Sequence, residues 1–255
     1  MIALYFSGTG NTRYCLRKLV RRLDPSAPIV PLEDLAAAAL LKKEKTVFLA
    51  YPTQFSNIPY FVRDFILRNG GSWAGKSVFL LNTMGAFSGD GTGVAARLLK
   101  KRGARILGGL FLKMPDSVAD VKALKKSHER NEAIVRAAEK EIEATALSIK
   151  EGRYPQQGLG LWAHMAGLFG QRLWFLGRTR GYSDRLKVSS ACEGCGLCVE
   201  SCPTHNLSLV AGKAVPSGRC AMCYRCVVHC PQRAITILGK EVIDPIKIED
   251  FLPKE

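Results

Sequence analysis

The sequence predicts an α/β protein of two domains, in which a doubly wound parallel sheet of five strands precedes a small α+β module. Short apolar segments alternate with helical segments over residues 1–152, and this alternation indicates a parallel sheet with helices on its faces. Eight of the nine cysteines lie between residues 192 and 230, which marks a second unit of different construction. A length of 255 residues suits about two domains. We therefore predict domains at 1–152 and 188–255, joined by an apolar and basic linker at 153–187.

The predicted strands of the first domain are short and mostly apolar. Residues 1–6 read Met-Ile-Ala-Leu-Tyr-Phe, which is typical of a strand buried on both faces. A helix is predicted over residues 13–23, because its apolar side chains recur on one face. The other predicted strands cover residues 29–30, 46–50, 77–81 and 105–112. The other predicted helices cover residues 57–68, 93–102 and 127–150, the last one ending before Gly152 as a C-cap.

A turn rich in glycine and hydroxyl groups joins the first strand to the first helix. Its residues are Ser7, Gly8, Thr9, Gly10, Asn11 and Thr12. At the start of a helix the free backbone N–H groups and the positive end of the dipole attract an anion, and the hydroxyls add donors. The turn therefore predicts a phosphate site, although it is neither a Walker A motif nor G-x-G-x-x-G. An ordinary polar turn is the alternative.

The cysteines form an internal duplication. The first run reads Cys192-x₂-Cys195-x₂-Cys198-x₃-Cys202-Pro203, and the second repeats this spacing from Cys220 to Pro231. Such runs are typical of proteins with two [4Fe–4S] clusters, in which the fourth cysteine of a run binds the other cluster. One predicted ligand set is Cys192, Cys195, Cys198 and Cys230, and the other is Cys220, Cys223, Cys226 and Cys202. Structural zinc is the alternative, but it explains neither the third C-x₂ step nor the prolines.

The N-terminal part of the chain resembles the flavodoxin family. Residues 7–12 match, residue by residue, the loop that holds the FMN phosphate in that family. The resemblance implies the strand order 2-1-3-4-5 and a flavin site at the carboxyl ends of the strands. It also implies that two loops hold the isoalloxazine ring. These are Pro52, Thr53, Gln54 and Phe55 after the third strand, and Thr83, Met84, Gly85, Ala86 and Phe87 after the fourth.

Aromatic side chains in or beside these two loops are candidates for stacking on the flavin ring. They are Tyr51, Phe55 and Phe87. Packing within the loops is the alternative for each of them, since the pattern does not single out one pair.

Over its whole length the chain resembles the flavodoxin–ferredoxin fusion proteins of anaerobic microbes. The resemblance implies one FMN and two [4Fe–4S] clusters. The expected function is the passage of single electrons between the clusters and FMN, in the service of a partner redox enzyme. The alternative is an FMN-dependent oxidoreductase that reduces a small substrate directly, for which Asp90 is the acidic candidate near the ring loops. A third hypothesis is an adaptor whose clusters are structural or sensory.

The formal net charge is +15, and the surplus of basic residues lies before residue 187. This charge favours a redox protein partner with an acidic surface, or an anionic membrane face. Nucleic acid is not expected, because no recognition motif accompanies the charge. A signal peptide and an apolar run of about 18 residues are both absent from the sequence, so a cytoplasmic protein is expected.

The predicted linker combines Trp162, Phe169 and Trp174 with arginines. This composition suits a helix at a membrane interface, and it suits equally an apolar segment that packs the two domains together. We interpret it as packing between the domains, with peripheral membrane contact as the alternative.

Further residues of the sequence carry smaller expectations. Cys15, the ninth cysteine, is expected to behave as a small buried hydrophobe. His205 and His229 neighbour predicted ligands, but the thiolates already complete both sets, so the two histidines are not expected to bind iron. Residues 206–210 and 234–238 alternate polar and apolar side chains, which predicts a short strand after each cysteine run.

Overall fold

The computed structural model describes residues 1–175 and 185–252 of the chain. The β-strands are β1 (Ile2–Tyr5), β2 (Ile29–Pro31), β3 (Thr46–Pro52), β4 (Ser77–Met84), β5 (Arg105–Lys113), β6 (Lys187–Val188), β7 (Leu207–Val210), β8 (Lys213–Pro216) and β9 (Ile235–Thr236). The α-helices are α1 (Asn11–Leu23), α2 (Ala36–Lys43), α3 (Tyr60–Arg68), α4 (Gly91–Lys100), α5 (His128–Lys150), α6 (Leu161–Gly167), α7 (Leu173–Phe175), α8 (Leu197–Glu200) and α9 (Arg225–Val228). Turns of 3₁₀ helix lie at Gly70–Trp73, Lys122–Leu124 and Ile248–Phe251.

The first five strands form one parallel sheet in the order β2-β1-β3-β4-β5. The predicted flavodoxin-like order is therefore confirmed. Strands β1, β3 and β4 are buried along nearly their whole length. Since helices cover both faces of the sheet, these strands carry continuous apolar runs rather than alternating ones.

Two helical layers enclose the sheet. Helices α1 and α5 pack on one face, where Phe48 and Phe79 point toward them. Helices α2, α3 and α4 cover the other face, against Leu49 and Leu80. Successive side chains of a strand point to opposite faces, so each central strand contributes to both cores.

The predicted element boundaries differ from the structure at the edge that carries the loops. Strands β3 and β4 continue to Pro52 and Met84, so these residues end strands instead of lying in free loops. Helix α3 begins only at Tyr60, after Pro59, whose fixed φ suits the start of a helix. Helix α2 was not predicted, because half of its residues are alanine and it lacks a strong apolar face.

The C-terminal module is built on two antiparallel strand pairs, β7 with β8 and β6 with β9. The strands predicted after each cysteine run are therefore present, although β9 is shorter than expected. The core of the module contains Cys198, Cys220 and Cys226 beside apolar side chains such as Val227 and Ile235. Cysteine thiols take the place of larger apolar side chains in this core, so the module buries little apolar surface. Bound metal would therefore contribute much of the stability of the module.

The two domains share their cores and their connecting segments. Ala221 of the small module packs in the core beneath one face of the sheet, and Ala119 packs in the core of the small module. Ile248 returns to the other face of the sheet and donates its backbone N–H to the Thr9 carbonyl oxygen at 3.1 Å. Before the small module begins, Gln156 forms an isolated parallel bridge with Gly109 of β5, where the Gln157 N–H donates to the Gly109 carbonyl oxygen at 2.9 Å.

Residues 161–175 form one continuous helical segment, here called the connecting helix, with a π-helical turn at Leu168–Arg172. Residues 176–184 of the predicted linker lie outside the described residues, as do residues 253–255 of the second predicted domain. No helix in the described ranges is long and apolar enough to cross a membrane.

Candidate cofactor site

The predicted phosphate loop ends at the start of α1. Gly10 precedes the helix in a left-handed conformation (φ 90°) and has no side chain to cap it, while Ser7 Oγ accepts a hydrogen bond from the Arg13 N–H at 3.4 Å. The N–H groups that precede Arg13 in the first turn of α1 are the ones that an anion would take. Hydroxyls gather around them: Thr9 Oγ1 lies 2.8 Å from Ser117 Oγ, and Thr12 Oγ1 lies 2.7 Å from Thr83 Oγ1. A helix start with clustered hydroxyls fits the phosphate of FMN.

A cavity of about 260 Å³, here called the central cavity, opens beside this loop. Every residue predicted to bind FMN lines it except Gly10. Gly10 faces the opposite way, toward Ile248 of the C-terminal segment. The loop that follows β5, residues 114–118, forms a further wall. Our prediction omitted this wall, although the loop also follows the carboxyl end of a strand of the same sheet.

The aromatic candidates occupy different places. Phe55 and Phe87 line the central cavity, and Phe55 stacks on Phe175 of the connecting helix with ring centroids 4.4 Å apart. Tyr51 is fully buried in the core and donates its hydroxyl hydrogen to the Gly91 carbonyl oxygen at 3.0 Å. It therefore packs the domain and does not line the cavity, so Phe55 and Phe87 remain as candidates for contact with a flavin ring.

The small module closes the remaining side of the central cavity. Met222, Cys223, Tyr224 and Leu238 all line it. Of these, Cys223 belongs to the second cysteine run, so a predicted cluster ligand lies in the wall of the predicted flavin site. Sequence reasoning missed this wall, because the residues that form it are distant from the flavin loops along the chain.

The second cysteine run packs directly on the phosphate loop and on the ring loop that follows β3. A Cβ added to Gly8 would overlap the carbonyl oxygen of Cys223, so only glycine permits this approach. From the ring loop, Gln54 Nε2 donates to the Ala221 carbonyl oxygen at 2.9 Å. These contacts hold the cysteine run against the central cavity.

Asp120 fastens the small module from the opposite side of the run. Its buried carboxylate accepts hydrogen bonds from the Tyr224 hydroxyl at 2.9 Å and from the backbone N–H groups of Ile237 and Leu238 at 2.7 and 3.0 Å. Burial and the neighbouring carboxylate raise the pKa of Tyr224, so its hydroxyl remains a donor. Sequence reasoning missed Asp120, since a single acidic residue in a loop carries no pattern.

Arg225 joins the second cysteine run to the phosphate loop. One of its nitrogens lies 2.6 Å from the Ser7 carbonyl oxygen and 2.7 Å from Glu33 Oε1. Another donates to the Ser201 carbonyl oxygen at 3.0 Å. The guanidinium therefore ties the phosphate loop and both cysteine runs together with charge-assisted hydrogen bonds.

The eight cysteines gather in two places. One cavity is lined by Cys192, Cys195, Cys198 and Cys230, here called the outer set. Another is lined by Cys202, Cys220, Cys223 and Cys226, here called the inner set. These are the two ligand sets predicted from the spacing. The donor type and number, four thiols around each cavity, fit a cubane cluster.

The spacing of these side chains bears on the zinc alternative. Within the described ranges, no three His, Cys, Asp or Glu side chains are close enough to hold a single metal ion. A zinc ion would require sulfurs at about 2.3 Å from one point. The cysteines of each set line one common cavity.

The sulfur atoms of both sets accept backbone hydrogen bonds. In the outer set, Ala214 N–H reaches Cys192 Sγ at 3.5 Å and Ala234 N–H reaches Cys230 Sγ at 3.3 Å. In the inner set, Asn206 N–H reaches Cys202 Sγ at 3.2 Å and Met222 N–H reaches Cys220 Sγ at 3.3 Å. Hydrogen bonds to cluster sulfurs stabilise negative charge and are one of the factors that set reduction potentials.

The two sets differ in their exposure to solvent. In the outer set Cys195 is exposed and Cys198 is buried, whereas in the inner set both Cys220 and Cys226 are buried. Burial raises the pKa of the Cys220 thiol to about 12 and also raises that of Cys198, while backbone N–H donors lower the pKa of Cys192. A bound cation favours ionisation of the buried thiols, which couples metal binding to proton release.

A second buried charge cluster holds the connecting helix. The Asp90 carboxylate lies 2.6 Å from Arg97 Nη2, 2.9 Å from His164 Nδ1 and 2.9 Å from Arg172 Nη2. Asp90 is fully buried and does not line the central cavity. Asp90, the acidic residue proposed from the sequence for direct substrate reduction, therefore contacts three basic side chains and lies away from the predicted flavin site.

The remaining predicted residues lie outside the site. Cys15 is fully buried, as expected, and burial raises the pKa of its thiol. His229 is exposed, and neither it nor His205 lines a cysteine cavity. His205 lines a larger cleft of about 880 Å³ between α3 and the small module, with Tyr60 and Arg219. This cleft includes neither the phosphate loop nor the ring loops, so we do not assign the flavin to it.

Comparisons with known proteins match the two domains to different proteins. The family model described as a 4Fe-4S dicluster domain matches residues 189–235, which include all eight cysteines of the duplication. No curated protein matches the chain. The chain thus joins a flavodoxin-like sheet to a 4Fe–4S ferredoxin domain, and the assignment of the sheet rests on its own strand order.

Solved structures similar to the chain cover its N-terminal part. Flavodoxin of Megasphaera elsdenii is 21% identical, with a TM-score of 0.41, over 55% of this chain and 99% of that one. Flavodoxin 2 of Bacillus cereus is 18% identical, with a TM-score of 0.42, over 59% and 97%. Rubredoxin:oxygen oxidoreductase of Desulfovibrio gigas is 16% identical, with a TM-score of 0.41, over 59% of this chain and 36% of that one.

Proposed function

We propose that the protein transfers single electrons between an external redox partner and FMN, through two [4Fe–4S] clusters bound by the outer and inner cysteine sets. The observation that carries the proposal is the position of Cys223. This residue lines both the inner cysteine cavity and the central cavity, so the two predicted cofactor sites share a wall. Such a shared wall suits electron transfer within one chain.

The outer cysteine set reaches the surface, whereas the inner set lies in the interior. When bound, each cluster carries one electron and FMN carries one or two. Cys195 gives the outer set an exposed end, where a partner could approach. The inner set is enclosed by buried side chains such as Val227 and Ile237, which exclude water from it. The route we propose therefore runs from the outer set to the inner set and then to the central cavity, or in the opposite direction.

The partner we propose is a redox protein with an acidic surface. The net charge of +15 supports this, because opposite charges steer association and raise its rate at low ionic strength. Raising the salt concentration should accordingly slow reduction by such a partner. It should leave the subsequent transfer within the chain unchanged.

Anaerobic reconstitution followed by redox-poised EPR and visible spectroscopy tests the proposal. We expect about eight iron atoms per chain, two interacting cluster signals and one FMN. In stopped-flow reduction by a protein donor, cluster bleaching should precede flavin bleaching. Iron-loaded protein that fails to bind FMN would refute the proposal, as would a flavin that is reduced at the same rate when the clusters are absent.

A further inference from the structure

The connecting helix presents a row of large apolar side chains to solvent. Trp162 is 87% exposed, Leu161 72% and Trp174 71%. The other members of the row are Met165, Phe169 and Leu173, each more than a third exposed. This amount of apolar surface on one helix exceeds the scattered hydrophobic residues that are normal on a protein surface. Our interpretation of the segment as packing between the domains does not account for this exposed row.

The inner face of the helix is fixed to the flavin domain. Arg172 is buried in its ion pair with Asp90, and Gly167 packs so closely on Asp90 that a Cβ would overlap the carboxylate. Ser56 donates its hydroxyl hydrogen to Gln171 Oε1 at 2.8 Å. Turning the helix to bury its apolar row would break this buried charge cluster, which is costly. The apolar row therefore stays on the outside.

The charge around the helix indicates what covers this row. From residue 152 to residue 183 the sequence contains four tryptophan or phenylalanine side chains and four arginines, but no aspartate or glutamate. Arg97, which is 42% exposed, lies beside the helix through its contact with Asp90. A helix with Trp, Phe and Leu on its outer side, in a segment of sequence whose charged residues are all arginine, is typical of segments that lie in a membrane interface.

We propose that the connecting helix docks the protein on the surface of an anionic lipid bilayer. The apolar row would enter the boundary between headgroups and acyl chains, while the net charge of +15 attracts the lipid phosphates. The bilayer would then lie beside the mouth of the central cavity, because Phe87 lines that cavity and lies against Gly170 of the helix. This inference does not depend on the proposed electron transfer.

The tryptophans of the chain provide a direct readout of docking. Trp162 and Trp174 belong to the exposed row, whereas Trp73, the third and last tryptophan, is fully buried in the core. Vesicles of phosphatidylglycerol and phosphatidylcholine should therefore shift the emission of the intact protein to shorter wavelength, and the protein should float with them. Vesicles of pure phosphatidylcholine should bind much less, and added salt should weaken the binding to anionic vesicles.

A matched pair of variants locates the surface. Leu161→Ser with Phe169→Ser keeps both reporter tryptophans and should lower the affinity for anionic vesicles by at least about tenfold, since two buried side chains are lost. Leu35→Ser is the control, because Leu35 is 97% exposed at the start of α2 and is not part of the row. It should leave binding unchanged.

Other results would overturn the proposal. They are an unshifted emission together with failure to float, equal binding to neutral and anionic vesicles, or equal binding by the double variant and the control. A blue shift that grows with protein concentration in the absence of lipid would assign the row to a second copy of the chain instead. The measurement on the unmodified protein decides the matter even if the double variant does not fold.

Discussion

The outer and inner cysteine sets have the same spacing in the sequence and different surroundings in the structure. The outer set lies beside the β7–β8 hairpin, with Cys195 exposed and Leu209 only half covered. The inner set is enclosed between the small module and the flavin domain, with Cys220 and Cys226 buried. A duplicated motif thus supplies two cysteine sets of equal spacing, and the docking of one of them on a second domain gives them different surroundings.

The largest effects are expected when one predicted ligand is removed from each set in turn. Cys226→Ser should abolish the inner cluster and with it the reduction of FMN by way of the clusters, because this set shares a wall with the central cavity. It should also lower the melting temperature, since Cys226 belongs to the core of the module. Iron analysis, EPR and thermal unfolding followed by visible absorbance measure these effects.

Cys195→Ser is the matched variant in the outer set. It should lower iron content but leave FMN binding and most of the thermal stability intact, because Cys195 is exposed. Because the proposed route passes through both sets, both variants should lose flavin reduction by the partner. If both also lose the same thermal stability, the two sets are equally enclosed and the comparison is wrong.

Asp120→Ala tests what holds the inner set in place. The change leaves three buried donors without an acceptor, those of Tyr224, Ile237 and Leu238, and should destabilise the holoprotein by about 3 kcal/mol or more. Urea unfolding monitored by cluster absorbance measures it. Tyr224→Phe removes a single hydrogen bond and should cost about 1 kcal/mol. An equal cost for the two variants would mean that Asp120 is not the common acceptor.

Gly8→Ala tests the contact between the inner set and the phosphate loop. The added methyl group would overlap the Cys223 carbonyl oxygen, so one of the two loops must move, at a cost of about 1–3 kcal/mol. FMN affinity should fall about tenfold or more, which corresponds to at least 1.4 kcal/mol. Fluorescence titration with FMN measures it.

Gly71→Ala is the control for this variant, because a Cβ at Gly71 meets no atom within 4 Å. Its FMN affinity should equal that of the unmodified protein. Outer-set EPR signals should be the same in both glycine variants; a change confined to the outer set in Gly8→Ala would contradict the assignment of Cys223 to the inner set.

The smallest expected effect is on the free energy of unfolding, when one apolar side chain beside each set is shortened. Ile237 lines the inner cavity and is buried, so Ile237→Val should cost about 0.5–1.5 kcal/mol. Leu209 lines the outer cavity but is 46% exposed, so Leu209→Val should change stability by less than about 0.5 kcal/mol. Urea unfolding of the two variants in parallel decides between them, and a reversed order would mean that the outer set is the more enclosed.

Local patterns of the sequence predict much of the site. The turn from Ser7 to Thr12 and the cysteine spacing are short-range signals, because a helix start and a cluster loop each use residues that are close together in the chain. The strand order followed from the flavodoxin resemblance. Helix α2 was missed because burial of only Ala37 and Leu41 leaves little periodic signal. Tyr51 was misplaced because a strand ending and a loop aromatic look alike in sequence.

The sequence by itself predicted which residues bind cofactors: the phosphate loop, the two ring loops and eight cysteines. The tertiary structure alone decided how these parts are joined. The wall formed by Met222 and Cys223, the acceptor Asp120 and the outward row of the connecting helix all depend on contacts between residues far apart in the chain. Such contacts follow from how two preformed surfaces pack, and packing leaves no periodic or spaced pattern in the sequence that produces it.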